Sequence, residues 1–214
     1  MSDDTPLTML SAGLRLEARL RLPRAAAKGV CVVAHPHPQF GGDMHNNVVL
    51  VLCRAVTARG LAAVRFNFRG VGASEGKSEG GAAEIEDMQN VAQSLAERSE
   101  LANLPLLLAG YSFGAWAAWH AAPKIARLAG LIVVSPPVCL MKHDFSLNRA
   151  IPILFVAGDH DTFCSPKRLT RALTDAGRGE IPRFIAGADH FWWGKENELE
   201  VMAGEFLSEL LSAQ

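Results

Sequence analysis

A serine with a glycine two residues away on either side, Gly110-Tyr111-Ser112-Phe113-Gly114, follows the apolar run Leu106–Ala109 and precedes the small-residue stretch Ala115-Trp116-Ala117-Ala118. Strand, sharp turn, helix is the context in which Gly-x-Ser-x-Gly exposes a nucleophilic serine. Such a turn holds its serine in a strained backbone conformation, and the glycines leave room for neighbouring chain. At a helix N-terminus, free N–H groups and the macrodipole favour an alkoxide and an oxyanion. The plain alternative is a serine that caps a helix in a glycine-flanked turn.

A serine hydroxyl needs a base, and the chain has seven histidines. His190, in Gly187-Ala188-Asp189-His190-Phe191, falls between the last apolar run and the final helical stretch, where a loop carries an imidazole back over the strand ends. His120 sits inside the helix after Ser112 and is expected to point away. His143 lies on a long loop, a poor platform for a general base but placed to contact substrate. The acid that orients the base is read as Asp161, in Gly158-Asp159-His160-Asp161 at the end of the run Ile153–Ala157. Asp159 reads as a turn residue bonding local backbone N–H groups. Asp189 is expected to point away from its neighbour His190.

Elements to position these groups are visible as alternating apolar runs and helical spacings. The runs are Gly29–Ala34, Leu61–Phe66, Leu106–Ala109, Leu128–Val134, Ile153–Ala157 and Arg183–Ile185. Helices are expected at about His45–Arg59, Ala83–Arg98, Ser112–Ala122, Ser165–Ala176 and Lys195–Leu211, with Ser165-Pro166 as cap and first turn. The order is that of parallel strands joined by crossover helices. Leu7–Leu10 and Leu14–Leu22 around Gly13 predict an antiparallel hairpin at the start. Ligands in such sheets sit at the carboxyl ends of the strands, where Ser112, Asp161 and His190 all fall.

With 214 residues and no linker, repeat or charge block, residues 1–214 read as a single domain. A net charge of -1 gives no support to nucleic acid or an anionic membrane as partner. The acidic N-terminus lacks the features of a signal peptide, and no apolar stretch reaches a membrane span. Cys31, Cys53, Cys139 and Cys164 are widely spaced without a C-x-x-C and read as free thiols. A cytoplasmic setting is the expectation.

Together with Gly110–Gly114, two further motifs, His35-Pro36-His37-Pro38 with Gly41-Gly42 and Arg65-Phe66-Asn67-Phe68-Arg69-Gly70-Val71-Gly72-Ala73-Ser74, carry a resemblance over nearly the whole chain. It is similar to the small lidless bacterial α/β-hydrolases, and more distantly to the dienelactone hydrolases, which use Cys where this chain has Ser112. The resemblance implies an α/β-hydrolase fold: a mostly parallel sheet with helices on both faces, the N-terminal antiparallel hairpin and no lid domain. It also implies a serine esterase or thioesterase acting through Ser112, Asp161 and His190 on a small-molecule acyl ester or thioester. In that family the loop after the first parallel strand builds half of the oxyanion hole. Pro36 and Pro38 have no N–H, which leaves the backbone N–H of His37, with that of Phe113 as its partner.

Rival motifs are weaker. His35-x-His37 with Asp43-x-His45 lacks the spacing of a dinuclear metal site, so no metal is expected. Gly70-Val71-Gly72 with Gly76 misses the dinucleotide spacing, and a turn closing over the site, shaped by Arg69 and Ser74, is expected, with no cofactor. Phe191 and Trp192 are candidate pocket walls, with core packing the equal alternative; exposed aromatics there would also allow a homodimer. Cys164 reads as a bystander. A binding or regulatory protein on the same fold, and a small serine peptidase, are the other functions considered.

Overall fold

The six apolar runs become six parallel strands because residues pointing to both faces are covered. The computed structural model describes residues 4–98, 101–141, 145, 147 and 151–213. The strands are β1 (Thr5–Ser11), β2 (Leu14–Arg21), β3 (Val30–Ala34), β4 (Ala62–Phe66), β5 (Leu106–Tyr111), β6 (Leu128–Val134), β7 (Ile153–Gly158) and β8 (Arg183–Ile185). The α-helices are α1 (Asn47–Ala58), α2 (Ala82–Glu97), α3 (Phe113–Ala121), α4 (Pro166–Asp175) and α5 (Glu196–Ser212). Boundaries differ from the sequence expectation by one or two residues at most helix ends, as helix ends generally do.

The strands form one eight-stranded sheet in the order β1-β2-β4-β3-β5-β6-β7-β8. β1 and β2 are the expected antiparallel hairpin, and β2 also runs antiparallel to β4; from β4 to β8 the pairing is parallel. Val32, Ala34, Val64, Leu108 and Val133 face α2, α3 and α4. Cys31, Val33, Ala63, Ala109 and Val134 face α1 and α5. Every residue of β3 is buried, so alternation disappears from its sequence, and each such aliphatic contributes about 1.5–3 kcal/mol by leaving water.

Strand order also decides where a ligand can enter. The chain leaves β3 to one side for β4, then crosses to β5 on the other side, so the loops after β3 and β5 diverge at a crevice. Those loops hold His35–Gly42 and Ser112. The hairpin is fastened by Asp4, whose carboxylate meets Arg21 and Arg65, each at 2.7 Å. The Gly70–Gly76 segment is a turn shaped by Arg69 and Ser74 as expected, but it closes on the hairpin, where Glu75 pairs with Arg15, and none of its residues lines the cleft beside Ser112. Arg69 is buried on Asp87, while Ser74 Oγ donates to the Asn67 carbonyl and accepts the Glu17 N–H. Ser165 and Pro166 start α4 as expected, although the serine hydroxyl makes no capping bond. No helix among the described residues is long and apolar enough to cross a membrane.

Candidate active site

At the end of β5 the chain must turn into α3 within one residue, and Ser112 takes φ 53° and ψ −119° to do so. That left-handed conformation costs on the order of 1–3 kcal/mol in a non-glycine residue and persists only when the surroundings enforce it. Here the Ser112 N–H donates to the Val134 carbonyl at 2.9 Å, and its carbonyl accepts from Trp116 of α3 at 3.1 Å. The flanking glycines are sterically required. A Cβ on Gly110 would sit 2.2 Å from the Gly114 carbonyl oxygen, and one on Gly114 would sit 2.4 Å from that of Ala34.

The turn delivers the Ser112 hydroxyl to the cleft, with its Oγ 3.0 Å from His190 Nε2. On the other side of the ring, His190 Nδ1 lies 2.9 and 3.0 Å from the two carboxylate oxygens of Asp161. Asp161 is almost wholly buried, and its Oδ1 also accepts the N–H groups of Phe163 (2.9 Å) and Cys164 (2.7 Å). The carboxylate is therefore held from three directions and cannot turn away from the imidazole.

Two aromatic residues hold the base loop. The Tyr111 hydroxyl donates to the His190 carbonyl at 2.6 Å; burial, and then the charges of Asp161 and Asp189, push its pKa up and keep it a donor. Trp192 corrects the sequence expectation of a pocket wall. It is fully buried and packs among the residues between the sheet and α1 and α5, with its indole N–H donating to Ser135 Oγ at 3.1 Å. Its φ of 65° turns the side chain inward, and this reversal separates it from Phe191, which remains at the cleft. Adjacent aromatics thus end in opposite environments.

The other acids behave differently from Asp161. Asp159 accepts the N–H of Gly187 at 2.7 Å, a bond that spans from the acid loop to the base loop where a local turn bond was expected. Asp189 accepts from the N–H groups of Phe191 and Trp192 and does not hydrogen-bond the imidazole beside it. His120 bonds back to the Trp116 carbonyl within α3. Cys164 is buried, and burial followed by the Asp161 charge raises its thiol pKa strongly, so it stays protonated. His143 lies outside the described residues.

Across from Ser112, His190 and Asp161, the loop after β3 closes into a short 3₁₀ turn, Pro38–Phe40, in which the His37 carbonyl accepts from Phe40 and Gly42, each at 3.1 Å. The His37 ring rests against Phe113 with centroids 4.7 Å apart, and its Nδ1 accepts the Gln39 N–H. Phe113 is the first residue of α3, a position whose N–H has no partner within the helix. His35 is a strut, the alternative in which the histidines of a rigid His-Pro-His-Pro loop satisfy backbone groups. It is fully buried, with Nδ1 2.6 Å from the Pro36 carbonyl and Nε2 3.1 Å from the Phe68 nitrogen, so Nδ1 carries the proton and Nε2 accepts. Burial lowers its pKa to about 4, outweighing the Pro36 hydrogen bond.

Between these walls lies an open cleft of about 610 Å³ that reaches Ser112 and His190. Phe163, Leu140 and Met141 line it alongside Phe191 and were not singled out from sequence. Phe163 follows Asp161 by two residues and packs its ring 4.7 Å from that of His190, shielding the ion-pairing side of the imidazole from water. The sequence signal for it was its place beside the acid. Leu140 and Met141 reach the cleft because their N–H groups bond the Pro137 carbonyl, folding residues 137–141 into a compact turn. Among the described residues no cluster of three or more His, Cys, Asp or Glu could hold a metal ion.

A doubly wound sheet with a strained serine after its fifth strand and a histidine loop after its last is the α/β-hydrolase fold. Comparison with known proteins agrees. Residues 25–150 match the family model Hydrolase_4, described as "Serine aminopeptidase, S33". An uncharacterised protein of Rickettsia prowazekii is 32% identical over 207 residues, spanning 92% of this chain and 86% of that protein. An alpha-beta serine hydrolase homologue from Coxiella burnetii is 31% identical, with a TM-score of 0.84 over 96% of this chain and 97% of that one. A lidless α/β serine hydrolase from Xanthomonas campestris is 29% identical, with a TM-score of 0.86 over 98% of this chain and 95% of that one. The chain belongs to the Hydrolase_4 family and is similar to a lidless α/β serine hydrolase of known structure.

Proposed function

We propose that this protein is a serine hydrolase that cleaves carboxylic esters or thioesters through an acyl-enzyme. The reading rests on one observation: an unbroken relay from Ser112 Oγ through His190 to a buried Asp161, at the open mouth of the cleft. In this reaction His190 Nε2 removes the Ser112 proton as Oγ bonds to the substrate carbonyl carbon. The N–H groups of Phe113 and His37 receive the oxyanion, and flanking prolines keep the His37 donor fixed. As the tetrahedral intermediate collapses, the leaving group takes the proton from His190. Water then repeats the sequence on the acyl-enzyme and releases the acid. Asp161 holds Nδ1–H and stabilises the imidazolium throughout. No cofactor enters these steps. An aminopeptidase reading draws its support from the family's description.

The test is covalent labelling with a fluorophosphonate, mapped by mass spectrometry. Label on Ser112 that disappears in His190→Ala is the expected result. Folded protein that takes no label would sink the hydrolase reading and favour a binding protein on the same fold.

A further inference from the structure

We infer that the cleft selects neutral substrates with an apolar acyl group and discriminates against acyl groups that carry a charge, the α-ammonium of a peptide N-terminus included. This inference rests on the serine-hydrolase reading and names the substrate class of that same site.

The walls point to it first. Phe40, Leu140 and Phe191 line the cleft, yet are 84%, 67% and 53% exposed. Large apolar side chains left in water around one opening mark a surface completed by a ligand, and the serine beneath them makes that ligand the acyl group. Deeper in, Met141, Phe163 and Phe113 continue the same character. No Asp, Glu, Lys or Arg is among the described residues that line the cleft.

The acids near the cleft among the described residues are the second line of argument, because each is already held by donors of its own surroundings. Asp161 accepts from Phe163, Cys164 and His190. Asp189 accepts from Phe191 and Trp192, and Asp43 from His45. Glu84 is buried under four hydrogen bonds, from the Ser78 hydroxyl and the N–H groups of Glu79, Gly80 and Gly81. None of these carboxylates is among the described residues that line the cleft. His37, the imidazole on the oxyanion side, is held by Gln39 as a hydrogen-bond acceptor, and burial lowers its pKa, so it offers no cation to a carboxylate. A charge brought into this cleft would lose water without gaining an opposite charge from the described residues that line it.

The experiment measures kcat/KM on p-nitrophenyl acetate, butyrate and hexanoate, on the 6-aminohexanoate ester and on leucine p-nitroanilide, with Ser112 labelling run in parallel. The expected result is a rise of about fourfold for each added methylene, the equivalent of about 0.8 kcal/mol per buried CH₂. The 6-aminohexanoate ester should fall at least about 100-fold below hexanoate, through desolvation of an unpaired ammonium. Leu140→Asp, a change at an exposed rim position, should narrow that gap by up to about fivefold, as an exposed ion pair would. Acetate turnover and Ser112 labelling with a flat series, or with the aminoacyl substrates cleaved as well as hexanoate, would overturn this inference alone. Absence of both turnover and labelling would overturn the serine-hydrolase reading beneath it.

Discussion

Two buried histidines stand at the same end of the sheet, and each uses both ring nitrogens, yet their partners assign them opposite work. His35, in the loop after β3, faces a carbonyl and an N–H. Only the neutral ring satisfies both, because a cation would set Nε2–H against the Phe68 N–H; this, with burial, leaves it neutral down to about pH 4. His190, in the loop after β8, faces a carboxylate and a hydroxyl. The carboxylate welcomes the cation, and a hydroxyl either donates or accepts, so both protonation states of His190 find partners. A rigid donor and a rigid acceptor make a strut, whereas a charge and an adaptable hydroxyl suit the proton carrier of the proposed reaction.

The largest consequence lies on the His190 side. His190→Ala and Ser112→Ala should each lower ester kcat/KM on the order of 10⁴-fold or more, with the circular dichroism spectrum retained. Asp161→Asn should cost about 10³-fold, since it leaves the ring without its orienting charge. On the His35 side the loss should appear in stability. His35→Ala strands a buried carbonyl and a buried N–H beside a cavity, for a loss of about 2–4 kcal/mol in urea unfolding.

His35 also makes stability depend on pH. Below its ordinary value of 6.5 the unfolded His35 binds a proton that the folded one refuses until about pH 4. The unfolded state therefore gains as pH falls through that window, and folding stability should decline by up to about 3 kcal/mol. Thermal melts from pH 7 to 4 measure this, and His35→Gln should flatten that part of the curve. A smaller effect is expected at Tyr111→Phe, which removes the bond to the His190 carbonyl, about 1 kcal/mol of stability. Turnover should drop with it as the base loop loosens.

Most of the sheet was legible because its strands are buried on both faces and read as unbroken Val, Ile and Leu runs, while α4 began at the expected Ser165-Pro166. The strained turn at Ser112 was legible because Gly110 and Gly114 answer a steric demand that no other residue meets. Asp161 was separable from Asp159 by its place ahead of α4. Trp192 was not legible: nothing in Phe191-Trp192-Trp193 says that the backbone reverses at the middle residue. Leu140 and Met141 were hidden because a turn bond to Pro137, and not periodicity, brings them to the cleft.

By itself the sequence determined the element order, the types of the reacting groups and their positions at strand ends, because these follow from periodicity, turn sterics and the chemistry of serine, histidine and aspartate. Tertiary structure decided which histidine is the strut and which faces the serine, and which aromatics form the core and which the cleft. Those outcomes depend on partners remote in the chain, Phe68 for His35, Asp161 for His190 and Ser135 for Trp192, and local sequence holds no record of a distant hydrogen-bond partner.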